Sequence, residues 1–149
     1  MQIPSSAVQE SLTRLTDSLD EVLDETVQLC RIPAPTFEEA ERAAYVAERM
    51  RALGLTDVQL DGIHNVTGIL SAGTPGPTTL VAAHLDTVFP RATPLHIRHT
   101  KQRLYGPGIG DNCVAVPAML SVAAAMRHLQ PLPSGRVIFA ASVGEEGLG

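Results

Sequence analysis

Two short apolar runs constrain the fold more than anything else in the chain. "LVAAHLD" (80–86) and "RVIFAASV" (136–143) are too short for an ordinary helix and continuous rather than alternating, which is how a strand covered on both faces reads. Between them lies "VAVPAMLSVAAAMRHL" (114–129), apolar almost all round and so a well-buried helix. Strand, helix, strand, with helices upstream, predicts an α/β layered fold, a three-layer αβα arrangement with a mixed, largely parallel sheet. In such sheets sites form at the carboxyl ends of the strands. Both runs end in polar residues there: His84 and Asp86 close the first, and Glu145 and Glu146 follow the second.

Upstream, Leu12, Leu15, Leu19, Val22, Leu23, Val27 and Leu29 recur at helical spacing, predicting one helix from about Ala7 to Cys30 that the prolines of "RIPAPT" stop. A second helix is expected to open at Thr36, with Glu39 completing a capping box, and to stop at Gly54. "TDVQLD" and "NVTGILSA" are strand candidates, and "LHIRHTKQRLYG" reads as a small antiparallel pair or an extended excursion. No internal repeat or linker divides the 149 residues, which suit one domain.

Composition excludes several partners. A net charge of -5 without a clustered basic stripe argues against nucleic acid. The start, "MQIPSSAVQESLTRL", lacks a signal-peptide pattern, and no apolar stretch is read as approaching the ~18 residues of a membrane span. Cys30 and Cys113 fit neither a zinc ribbon nor a disulfide framework, so a reducing, cytoplasmic compartment is expected. Small molecules or peptides remain as partners.

His84 and Asp86, two apart in an extended segment, point to the same side and can act together. Asp111, in "GPGIGDN", sits at a glycine-rich loop-to-helix junction, where a carboxylate can bridge two metal ions roughly 3.5–4 Å apart. Side chains of adjacent Glu145 and Glu146 diverge, so one can ligate while the other handles protons. Taken singly, each has a plain reading: a satisfied strand-end histidine, a helix N-cap aspartate, a solvated glutamate pair. Their conjunction, both pairs ending buried strands and Asp111 between them, favours a metal centre of imidazole and carboxylate donors. A nucleotide-binding glycine loop is the weaker reading, since G-x-G-x-x-G after the first strand is absent and three carboxylates would repel phosphate.

In that order, "AHLDTVFP", "YGPGIGDN" and "GEEGLG" closely resemble the N-terminal motifs of the dinuclear zinc peptidases and deacylases that include peptidase T, glutamate carboxypeptidases, acetylornithine deacetylase and succinyl-diaminopimelate desuccinylase. The resemblance runs from roughly Leu29 to Gly149. It implies that His84 ligates one zinc with Asp86 hydrogen-bonded to its other ring nitrogen, that Asp111 bridges both ions before a cis peptide bond to Asn112, and that Glu146 ligates the second zinc. Glu145 would be the general base, moving a proton from water to the leaving amine. Cobalt or manganese could replace zinc. The substrate would be a small peptide or an N-acyl amino acid, with a lean toward the peptidase T side, and the resemblance allows a homodimer for the complete protein.

Three departures matter. Cys113 stands where a small hydroxyl residue is common, either as a small buried residue or as a third metal ligand. Ala115 replaces a common glycine, and Pro117 is tolerable only in the first helical turn. Each metal is also one ligand short, since the donors that complete the family's sites come from downstream segments. His128 is too far along its helix to help, His96 and His99 face opposite sides of a strand, and His64 lies beside a turn. The expectation is an N-terminal part of a catalytic domain, incomplete at the C-terminus, lacking the lid or dimerisation domain and the second half of the catalytic domain, and hydrolysing little alone. The rival is a short non-catalytic binding module that keeps the fold core.

Overall fold

The computed structural model describes residues 4–129, 132 and 134–147. Its helices are α1 (Ser5–Asp17), α2 (Leu19–Cys30), α3 (Ala40–Ala52) and α4 (Ala115–Arg127). Its strands are β1 (Thr56–Leu60), β2 (Val66–Ser71), β3 (Thr78–His84), β4 (Arg98–His99), β5 (Leu104–Tyr105) and β6 (Arg136–Ser142). The main sheet runs β1-β2-β6-β3, and β4 and β5 form the small antiparallel pair expected of residues 95–106. The sheet is mixed, as expected, though only the β3–β6 ladder is parallel; β1–β2 and β2–β6 are antiparallel. The parallel ladder follows from the chain path, because α4 carries β3 back to begin β6 at the same end.

One face of this sheet carries the core. Val66 and Leu70 of β2, Ala83 of β3 and Val137, Phe139 and Ala141 of β6 pack with Leu29, Val46, Met50, Val116, Met119 and Leu120 from α2, α3 and α4. The alternate residues face the other way, and Leu80 on that side is 63% exposed. Among the described residues α2, α3 and α4 pack on the core face, and the mixed sheet with its helices is the α/β fold expected. The reading of "LVAAHLD" as a central strand covered on both faces is corrected: β3 lies at an edge of the described sheet. An apolar run records what a strand is suited to, and which neighbours cover it is set elsewhere in the fold.

The expected N-terminal helix is broken at Ser18, whose hydroxyl donates to the Leu15 carbonyl at 3.1 Å and lies 2.8 Å from the Ser121 hydroxyl on α4. A serine that bonds its preceding turn competes with helix propagation. Helix α3 opens at Ala40 rather than Thr36, and no side-chain cap forms. The capping box fails because Thr36 and Glu39 bond elsewhere, at the site described below. Gly54, at φ 73°, ends α3 as expected. Pro117 is the third residue of α4, within the turn whose amides need no intrahelical partner. Residues 109–127 do form a stretch long and apolar enough to suggest a membrane span, contrary to the sequence reading. Its backbone is non-helical at Asp111 and Asn112, however, and α4 has 13 residues, about 20 Å against a hydrocarbon core of ~30 Å.

Candidate metal centre

The parallel register sets His84 opposite Ser142, so β3 and β6 end together and the segments after them meet. Leu85 N–H donates to the Ser142 carbonyl at 2.7 Å, the last rung before the chains part. Beyond it, Glu145–Gly147 forms one short 3-10 turn. Asp111 arrives from the wide turn Ile109–Cys113 that leads into α4. That turn needs Gly108: its φ is 72°, and a Cβ there would lie 2.8 Å from the Thr87 methyl. The Asp111–Asn112 peptide bond is cis.

These elements bring four of the expected side chains together. His84 Nε2 is 3.1 Å from Asp111 Oδ1 and 3.9 Å from Glu145 Oε2. One donor atom from each of His84, Glu145 and Glu146 falls within 4.8 Å of the others. Glu145 and Asp111 are open to solvent, with side chains 62% and 78% exposed, while His84 is largely buried. An imidazole nitrogen converging with carboxylate oxygens is a donor set that zinc, cobalt or manganese accepts, so these residues fit a divalent metal. Asp111 reaches His84 but is not within that group of three, and Cys113 is buried away from solvent rather than among the donors.

Asp86 has a wider role than the one expected of it. The His84 Nδ1 hydrogen bond goes to the Asp86 backbone carbonyl, 3.2 Å away, with the carboxylate Oδ1 at 3.3 Å. The carboxylate itself, fully buried, accepts the Glu145 N–H on Oδ1 at 3.1 Å, and on Oδ2 the Glu146 N–H at 2.9 Å and the Thr36 hydroxyl at 3.1 Å. Asp86 therefore anchors the glutamate turn as well as flanking the histidine.

Three residues that the sequence did not mark complete the support. Glu39 Oε1 accepts the Gly144 N–H at 3.0 Å and the Phe37 N–H at 2.8 Å. Asn65 Oδ1 accepts the Val143 N–H at 3.0 Å. Buried Arg42 donates to the Leu85 carbonyl at 2.7 Å and to the Ile32 carbonyl, tying the strand end to the loop after α2. In the sequence each passes for an ordinary residue: Glu39 for a helix cap, Asn65 for a turn residue, Arg42 for the polar face of α3. Behind the site, Cys30 and Cys113 lie side by side as free thiols. Cys30 Sγ donates to the Pro107 carbonyl at 2.9 Å; the neighbouring Cys30 thiol, helped by the nearby Arg42 charge, lowers Cys113 to about 7, whereas Cys30 is raised by Cys113 and by burial.

Residues 80–149 match the family model described as Peptidase family M20/M25/M40, in agreement with the resemblance that the three motifs carry. The final two residues of "GEEGLG" lie outside the described residues. Among solved structures, a tripeptidase from Staphylococcus aureus is similar at 26% identity and a TM-score of 0.71, over 85% of this chain and 37% of that one. An aminopeptidase PepT from Bacillus cereus matches at 21% identity and 0.72, over 86% and 37%. A Bacillus subtilis protein described as a dinuclear metal binding peptidase from M20 family matches at 14% and 0.60, over 85% and 35%. The chain thus spans between 35% and 37% of the length of those proteins.

Proposed function

We propose that this chain is the metal-binding portion of a hydrolase that cleaves an amide bond in a small peptide or an N-acyl amino acid at a dinuclear zinc site. The observation that carries the reading is the convergence of His84, Glu145 and Glu146 donors within 4.8 Å, with Asp111 at 3.1 Å from the same imidazole nitrogen. In this reading His84, Asp111 and Glu146 would hold the metal. Bound divalent metal supplies Lewis acidity, polarising an amide carbonyl and making water easier to deprotonate.

Glu145 takes the proton. Its carboxylate is exposed to solvent while its backbone is fixed by Asp86, so the oxygen can accept a proton from water and return it to the departing amine. Asp86 keeps His84 and the glutamate turn in mutual register, and its charge favours an imidazole that presents Nε2. The peptidase neighbours support a peptide substrate. Free Cys30 and Cys113 support a reducing, cytoplasmic setting. With His84, Asp111 and Glu146 as the donors, each ion is one protein ligand short, so the chain alone binds metal weakly and turns over little.

The test is zinc titration against a chromophoric chelator, for this chain and for a protein that extends it to the length of its relatives. His84→Ala and Glu146→Gln should weaken binding, whereas Glu145→Gln should keep the metal and lose amide hydrolysis in the extended protein. Unchanged zinc affinity in all three variants would instead favour a non-catalytic binding module.

A further inference from the structure

The turn that carries Glu145 and Glu146 has four consecutive backbone amides bound by side chains from elsewhere: Val143 by Asn65, Gly144 by Glu39, and Glu145 and Glu146 by Asp86. None of these acceptors belongs to β6. The turn is therefore shaped by its surroundings and not by its own ladder. Glu39 stands out because it is a carboxylate only 1% exposed, at the mouth of α3, where an acid would ordinarily point to solvent. Its backbone carbonyl accepts the Ala43 N–H and starts the helix, while its side chain turns away and binds two other segments with one oxygen.

Those segments meet closely. A Cβ at Gly147 would lie 2.5 Å from the Thr36 methyl and 3.1 Å from the Phe37 ring, so the glutamate turn rests on the loop before α3. Phe37 has a φ of 70°, a left-handed conformation that a bulky residue adopts only where its surroundings impose it. The Glu39 carboxylate, bonded to Phe37 N–H, is part of what imposes it. One side chain thus fixes both the loop and the turn seated on it.

We propose that Glu39 is a positioning residue for the metal centre, holding the Gly144 amide so that the Glu145 and Glu146 carboxylates converge on His84; its link to metal affinity rests on the reading above. Glu39→Gln keeps an acceptor oxygen at the same reach, whereas Glu39→Met fills the same space and leaves both amides unpaired. Two readouts apply at a temperature where each variant is fully folded by circular dichroism. In metal-free protein, amide exchange by NMR should speed at least ~10-fold at Gly144, Glu145 and Glu146 in the Met variant, beyond the change in global stability, and stay near wild type in the Gln variant. Zinc affinity should fall ~10- to 100-fold in the Met variant and recover in the Gln variant.

Exchange that rises only in step with global unfolding, or only at Gly144, would overturn the proposal. So would wild-type zinc affinity in a folded Met variant. If Glu39→Met does not fold, Glu39→Asp, one methylene shorter, is read by the same criteria. Wild-type protein that binds no zinc at all would refute the metal-centre reading, while the exchange pattern would still decide whether Glu39 holds the turn.

Discussion

Asp86→Asn is the most informative single change, because the geometry sets its cost. The buried carboxylate receives three hydrogen bonds on two oxygens, two of them on Oδ2. Asparagine keeps one oxygen, so at least one backbone amide loses its acceptor and faces an NH2 donor. A hydrogen bond to a charged group contributes about 1.5–3 kcal/mol, and the surviving bonds fall to the ~1 kcal/mol of neutral pairs. Removing a buried charge gives part of this back. The expected net loss is about 2–4 kcal/mol, read by urea unfolding with chelator present so that metal linkage does not contribute. Thr36→Val, which removes one hydroxyl from the same carboxylate, should cost only about 1 kcal/mol. A loss below about 0.5 kcal/mol for Asp86→Asn would refute the view that this carboxylate anchors the glutamate turn.

Other perturbations probe the scaffold. Gly108→Ala must place a side chain at φ 72° and 2.8 Å from the Thr87 methyl; the backbone alone costs about 1–2 kcal/mol, and Thr87→Ser should recover only the contact part in chemical denaturation. Phe139→Ala, removing a fully buried ring from the middle strand of the core, should destabilise the chain by about 3–5 kcal/mol, measured the same way. Tyr45 is raised by burial first and by Glu25 second. Its stabilising contribution is present below the ordinary tyrosine value of about 10 and is lost as pH rises above it. Tyrosinate absorbance should therefore contain a late component that Tyr45→Phe removes and Glu25→Gln shifts back only partway. A Glu25→Gln midpoint equal to wild type would count against the Glu25 contribution.

By itself the sequence determined the local elements and the chemistry they carry. Apolar periodicity and glycine and proline positions located three of the helical segments and most strands, because these depend on residues near in the chain. The motif residues His84, Asp86, Glu145 and Glu146 stood out because they end apolar runs, and Asp111 because it sits in a glycine-rich loop that leads into a helix. Tertiary structure decided what those elements do to one another. Strand β3 lies at the edge of the described sheet and its Leu80 face is open, since every described helix packs on the opposite side. Ser18 sits where a periodic helix breaks, its hydroxyl bonded to the Leu15 carbonyl and also meeting Ser121, 103 residues away. Glu39 reads as a cap, yet its side chain spans 105 residues to hold Gly144. Local pattern records which face of an element is apolar, but a buried acceptor is chosen by whichever amide the completed fold brings within 3 Å of it.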